Sequence, residues 1–160
     1  MKESPSMTDG IGSFPLPDTL EPDLDRVRAY WQGLKRGEND IPFWDDVKFS
    51  LRTRLANEAL LIEVFENPQR FRFDIVGEDV TKRYGKAMIG KFSDEIDLNA
   101  PLEEFTSQCR ATVERRIPSY YRQPPSGTPQ QQDGYARLIL PLWGNGRIEM
   151  LLAAIVPMSA

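Results

Sequence analysis

The stretch from Tyr135 to Pro157, YARLILPLWGNGRIEMLLAAIVP, constrains this chain more than any other. Two apolar runs flank Asn145 and Gly146, which tolerate the positive backbone angles of a type I′ turn, so the runs pair as a long antiparallel hairpin. A two-residue turn sets Trp143 opposite Ile148, Pro141 opposite Met150, Ile139 opposite Leu152 and Arg137 opposite Ala154. In that register Tyr135, Arg137, Ile139 and Trp143 share a side with Ile148, Met150, Leu152 and Ala154. Leu138, Leu140 and Leu142 share the other side with Glu149, Leu151 and Ile155. Both faces are largely apolar, so both need cover.

The rest of the chain supplies candidates for that cover. Residues 1–22 carry Pro5, Pro15, Pro17 and Pro22 among Gly, Ser and Asp, the composition of a disordered or extended arm. An N-terminal helical segment follows over 23–58. Leu24, Val27, Tyr30, Trp31 and Leu34 form one helical face, with Gly37 as a stop. A second helix is expected from Asp45, stapled by Trp44 and Phe49 and continued by Val47, Leu51 and Leu55. The remaining domain, 59–157, opens with ALLIEVF and RFRFDIV, two β-rich runs joined by ENPQ as a hairpin that points Phe71, Phe73 and Ile75 to one face. Short helical pieces punctuated by Gly77, Gly85 and Gly90 come next. A longer helix from Pro101 carries Leu102, Phe105, Cys109 and Val113 and ends before Pro118, and Tyr120 begins a further strand.

Bulk properties exclude several function classes. The 160 residues suit one domain with flanking elements, and 24 acids against 20 bases give a net charge of −4. Nothing in that balance favours nucleic acid or an anionic membrane as partner. The longest apolar run, Met150 to Met158, is about half a membrane span. A single cysteine forbids an internal disulfide, and the N-terminus lacks the pattern of a signal peptide, so a cytoplasmic location is expected. There is no histidine, which removes histidine-dependent triads and the commonest ligand for zinc and haem. Cys109 lies on an apolar helix stripe and reads as a buried, inert thiol. Asp94, Glu95 and Asp97 lack the spacing of a calcium loop and read as a solvated face.

Residues 85–92, GKAMIGKF, come within one residue of a nucleotide-binding loop. Phe92 stands where a magnesium-binding hydroxyl belongs. The residues before Gly85 form a short polar helix, and FSDEID after Lys91 would repel phosphate. The glycines therefore punctuate short helices that cross a sheet.

The order of two strands, small helices, one longer helix and a long strand hairpin resembles the PAS domain superfamily over Ala59 to Pro157. The Gly85 and IGK spacing looks like the glycine pair between the first two small helices of PAS sequences. YWQGLKRGENDIP, with the helix after it, resembles the short stand-alone bacterial PAS-like proteins of poorly understood function. The resemblance implies an α+β fold, a PAS-like five-stranded antiparallel sheet with small helices on one face and an added N-terminal helical segment. It also implies a small-molecule space between helices and sheet. Phe71, Phe73, Tyr84, Met88, Phe105, Ile139 and Met150 are the candidate lining, with Arg137 or Tyr135 as polar handle, and the alternative is that they pack together as core. No cofactor is expected. The asparagine-cysteine-arginine motif of flavin relatives is missing, since Cys109 follows Gln108, and haem relatives usually supply histidine.

The second sheet face is expected to lie under the N-terminal helix, within one chain or across a homodimer, giving Tyr30, Trp31, Leu34, Leu138, Leu140 and Leu151 as interface candidates. The function that follows is a non-enzymatic sensory or adaptor module that binds a small molecule or a signalling partner and acts through dimer or partner contacts. The alternatives are a ligand-free dimerising scaffold, and an enzyme on a cone-shaped α+β fold with Asp74 or Glu63 as base. Period-two alternation sends Asp74 away from Phe73, against the last of these.

Overall fold

The computed structural model describes residues 14–47, 57–84, 88–96, 104–124 and 134–158, with backbone alone for Arg83, Tyr84 and Met158. Strands β1 (Ala59–Phe65), β2 (Arg70–Val76), β3 (Ser119–Gln123), β4 (Gly134–Gly144) and β5 (Arg147–Met158) form one antiparallel five-stranded sheet in the order β2-β1-β5-β4-β3. The described helical elements include helices α1 (Pro22–Gly33), α2 (Glu78–Tyr84) and α3 (Phe105–Arg115) and two 3₁₀ turns, Trp44–Asp46 and Ser93–Glu95, and Asn57 and Glu58 before β1 are also helical. The architecture is α+β.

Asn145 and Gly146 turn the β4–β5 hairpin with φ of 51° and 77°, as their residue types predict. Trp143 faces Ile148, but the ladder then slips: Leu142 faces Met150, Pro141 faces Leu151, Leu140 faces Leu152 and Arg137 faces Ile155. Glu149 is the extra residue of a β-bulge, and its carboxylate accepts a 2.7 Å bond from Asn145 Nδ2. The regular register would set Glu149 beside Leu138, Leu140 and Leu142; the bulge gives that row to Met150, while Glu149 stays half-buried against Gly144 with its Oε1 buried and without a hydrogen-bond partner. Met150 therefore lies on the opposite face from the one expected, and so does Leu151. The β1–β2 hairpin slips in the same way, with Leu61 opposite Ile75 and Ile62 opposite Phe73. Asp74 is the residue left over, which sends Ile75 to the other face from Phe71 and Phe73.

The sheet has a core on each side. On one, Leu60, Ile62, Phe71, Phe73, Ile139, Leu151 and Ala153 pack with Val80 of α2, Met88, and Phe105 and Cys109 of α3. On the other, Leu24, Val27 and Trp31 of α1 cover Leu138, Leu140, Leu142, Met150, Leu152 and Ala154. The helix that could have reached across a dimer lies on its own chain. Trp31 Nε1 donates a buried 2.8 Å bond to Pro141 O. Burying Leu24, Val27 and Trp31 is worth roughly 1.5–3 kcal/mol each against about 0.5–1.5 kcal/mol net for the hydrogen bond, so burial holds the helix and the bond sets its position.

Two N-terminal expectations change. From Phe14 onward the arm is packed rather than loose: Phe14 and Leu20 are buried, and Phe14 O accepts from Tyr120 N–H at 3.1 Å. At Asp45, where the second helix is expected to begin, the chain makes a 3₁₀ turn before an extended Val47, with Trp143 N–H donating to Pro42 O at 2.8 Å and Arg36 gripping Asp46 through two 2.7 Å bonds, while Asn57 and Glu58 at the far end of that segment are helical. Residues 48–56, with Phe49, Leu51 and Leu55, lie outside the described residues.

Both sheet edges meet irregular chain. On β2, Phe73 N–H donates to Lys91 O at 2.9 Å and Phe73 O accepts from Gly90 N–H at 2.7 Å, with Gly90 at φ 85°. Phe92 then bridges Arg72 and a 3₁₀ turn follows, so the chain after Lys91 offers no phosphate-binding helix start, while 85–87 lie outside the described residues. On β3 the cover is Phe14.

Candidate functional site

Arg137 projects from β4 toward α3 and is fully buried, the largest side chain to be so. Its guanidinium carbon lies 5.2 Å from the ring centre of Phe105, 5.0 Å from Tyr121 and 5.9 Å from Tyr135, so aromatic faces line the charge. Arginine stays protonated in such a place, where a lysine would shed its proton. Arg137 Nε–H donates to Gln108 Oε1 at 2.7 Å, which fixes the orientation of that amide. Gln108 Nε2–H then donates to Ser119 Oγ at 3.0 Å. Thr112 Oγ1 donates to Gln108 O at 2.9 Å, so the 2.7 Å contact between the two hydroxyls has Ser119 as donor and Thr112 as acceptor. Arg137, Gln108, Ser119 and Thr112 thus form one directed network, with Gln108, Thr112 and Ser119 also buried.

α3 supplies two of the groups around the guanidinium, Phe105 and Gln108. Phe105, Gln108, Cys109 and Thr112 recur at three- and four-residue spacing and face the sheet together, while Phe105 stacks on Phe73 at 5.2 Å. Sequence reading took Phe105 and Cys109 as an apolar stripe and missed the two polar members. Their i, i+4 spacing was the available signal. Burial pushes the Cys109 thiol far above its ordinary range, only partly offset by Arg137, so it is no nucleophile.

Of the candidate lining, the structure brings Phe71, Phe73, Met88, Phe105, Ile139 and Arg137 together between α3 and the sheet. The apolar ones pack against one another. Met150 is on the α1 side, and the side chain of Tyr84 lies outside the described residues. Among the interface candidates, Trp31, Leu138 and Leu140 are buried in the α1 layer and Leu151 in the α3 layer, so none of these four is on the surface of the chain. Tyr30 packs half-buried beside the α1 layer and Leu34 is half-buried.

The carboxylates considered as bases stand elsewhere. Asp74 is exposed, and Glu63 pairs with Arg72. Arg70 grips Asp94 through bonds of 2.7 and 2.9 Å and holds its carboxyl below the usual carboxylate range. Glu95 accepts from Phe92 N–H at 2.9 Å, and Asp97 lies outside the described residues. No group of three potential metal ligands occurs among the described residues, and no described helix is long and apolar enough to cross a membrane.

Tyr120 on β3 donates its hydroxyl to both oxygens of Glu21, at 3.0 and 2.8 Å, tying the start of α1 to the sheet edge. Burial and, after it, the Glu21 carboxylate raise the phenol pKa. A raised acid favours folding while the unfolded phenol stays neutral, so this contribution is complete below pH ~10 and falls away as pH climbs past that value. Comparing urea midpoints of the parent and Tyr120→Phe from pH 8 to 11 should show the parent's advantage shrinking above pH ~10. A pH-independent difference would refute the coupling.

No protein-family model matches the chain, and no curated protein matches it at a significant level.

Proposed function

We propose that this chain is a non-catalytic, PAS-like binding module with a sensory or adaptor role, taking a small molecule or a partner protein. The five-stranded antiparallel sheet, with short helices and then α3 between β2 and β3, supports the PAS-like reading. The observation that carries the binding role is the Arg137 network. A scaffold gains nothing from a guanidinium inside its core, since apolar residues of similar volume would serve as well or better, whereas a ligand site needs a few fixed polar groups in an apolar setting.

A homodimer is our proposed signalling form. With the second sheet face covered by α1, its support is narrower: Trp44, Ile89 and Ile117 are 39%, 61% and 55% exposed, the large apolar side chains at the surface among the described residues. Native mass spectrometry of the full chain purified from a bacterial host, read beside its denatured mass, tests both points. The expected spectrum shows a dimer with an added mass that disappears on denaturation. A dimer without added mass replaces the sensory reading by the scaffold, and a monomer at micromolar concentration removes the dimer.

A further inference from the structure

At the C-terminal end of α3, where the helix ends and β3 begins, a half-open groove of about 320 Å³ lies between the packed arm and the helix. Its floor is Ala111 and the nearly buried Ser119, one wall is Phe14 and Leu16, and Ile117, 55% exposed, forms the lip. Arg115 is the charged residue of the lining, in the last turn of α3. The lining is otherwise almost wholly apolar.

A groove of this size falls at the lower end of small-molecule sites, which pair apolar walls with a few placed polar groups. The carbonyl end of a helix repels anions, and Arg115 in the last turn of α3 opposes that within the lining. Apolar walls with one guanidinium in the lining match an aliphatic chain ending in a carboxylate. We propose that this groove binds a medium-chain aliphatic carboxylate, with the tail along Phe14, Leu16 and Ile117 and the carboxylate on Arg115.

The position has a consequence for signalling. Ser119 on the floor is the acceptor of Gln108 Nε2–H, whose amide oxygen takes Arg137. The wall is the arm that leads into α1. An occupant touches both the polar network of one core and the segment that carries the helix of the other. This extends the binding-module reading to a place that reading does not specify.

Titration of the full chain with decanoate and with decanol, by calorimetry and by amide resonance shifts, tests the proposal. Decanoate should bind saturably, with shifts centred on 14–16 and 111–119, and decanol about tenfold or more weaker, the loss of one charge-assisted pair. Arg115→Gln should weaken decanoate to the level of decanol and leave decanol unchanged. Ile117→Ser, at an exposed lip where folding is not at stake, should weaken both. Arg110→Gln, whose side chain bonds Gln69 outside the groove, should change neither. Absence of saturable binding overturns the proposal, as does binding indifferent to both Arg115→Gln and Ile117→Ser. Either result leaves the binding-module reading intact if the native spectrum still carries its own added mass.

Discussion

Arg137→Ala should cost about 3–5 kcal/mol, a large share of the 5–15 kcal/mol that holds a domain of this kind folded. Two effects add: a void opens among Phe105, Tyr121 and Tyr135, and Gln108 Oε1 loses the donor that justified burying it. Arg137→Met separates them, because it keeps most of the volume while leaving the Gln108 amide oxygen without this donor, at about 1–3 kcal/mol. Combining it with Gln108→Leu should recover most of that loss, since removing both partners of a buried polar contact is nearly neutral. Urea denaturation of the three variants reads the series directly. An Arg137→Ala protein within about 0.5 kcal/mol of the parent would mean that the guanidinium sits in water after all.

Trp31→Ala should be comparably damaging, about 3–5 kcal/mol, by a different route. The indole fills the α1 layer over Leu138, Leu140 and Leu142 and donates to Pro141 O. Its loss uncouples α1 before it unfolds the sheet. Amide exchange over 22–33 should accelerate while β4 and β5 stay protected, and the uncovered leucine rows should bind a hydrophobic dye and associate with protein concentration. Trp31→Phe keeps the burial, loses the donor and should cost about 1–2 kcal/mol. Unchanged exchange in α1 with Trp31→Ala would show that the helix is held by something other than this contact.

The strands were legible because period-two patterning and turn chemistry act locally. ALLIEVF and RFRFDIV are β1 and β2 to the residue, and Asn145–Gly146 gave the hairpin turn. Strand faces were less legible. An alternation count assumes a regular ladder, and the bulges at Glu149 and Asp74 reversed it for Met150, Leu151 and Ile75. An acid placed in an apolar row was the warning in the first case, since a regular ladder would set a carboxylate among leucines and the ladder slips at that residue. At the site, Arg137 and Phe105 were legible from the helix stripe and the strand. Gln108, Thr112 and Ser119 were not, because a polar residue next to an apolar stripe looks solvated until a buried partner is known. The groove was hidden for a related reason: its walls come from residues about a hundred positions apart, brought together by the Phe14 to Tyr120 bond.

The strand order also sets a timetable for folding. β5 is the last of the described strands in chain order, yet it lies in the middle of the sheet, between β1 and β4. α1 docks on β4 and β5, and Trp31 is 110 positions from its partner carbonyl. A ribosome delivering this chain from its N-terminus can release the β1–β2 hairpin and α1 early, but neither has its permanent neighbour until β5 emerges. The apolar face of α1 then waits until β4 and β5 emerge with little of its own to cover, the interval in which a holding chaperone has most to offer.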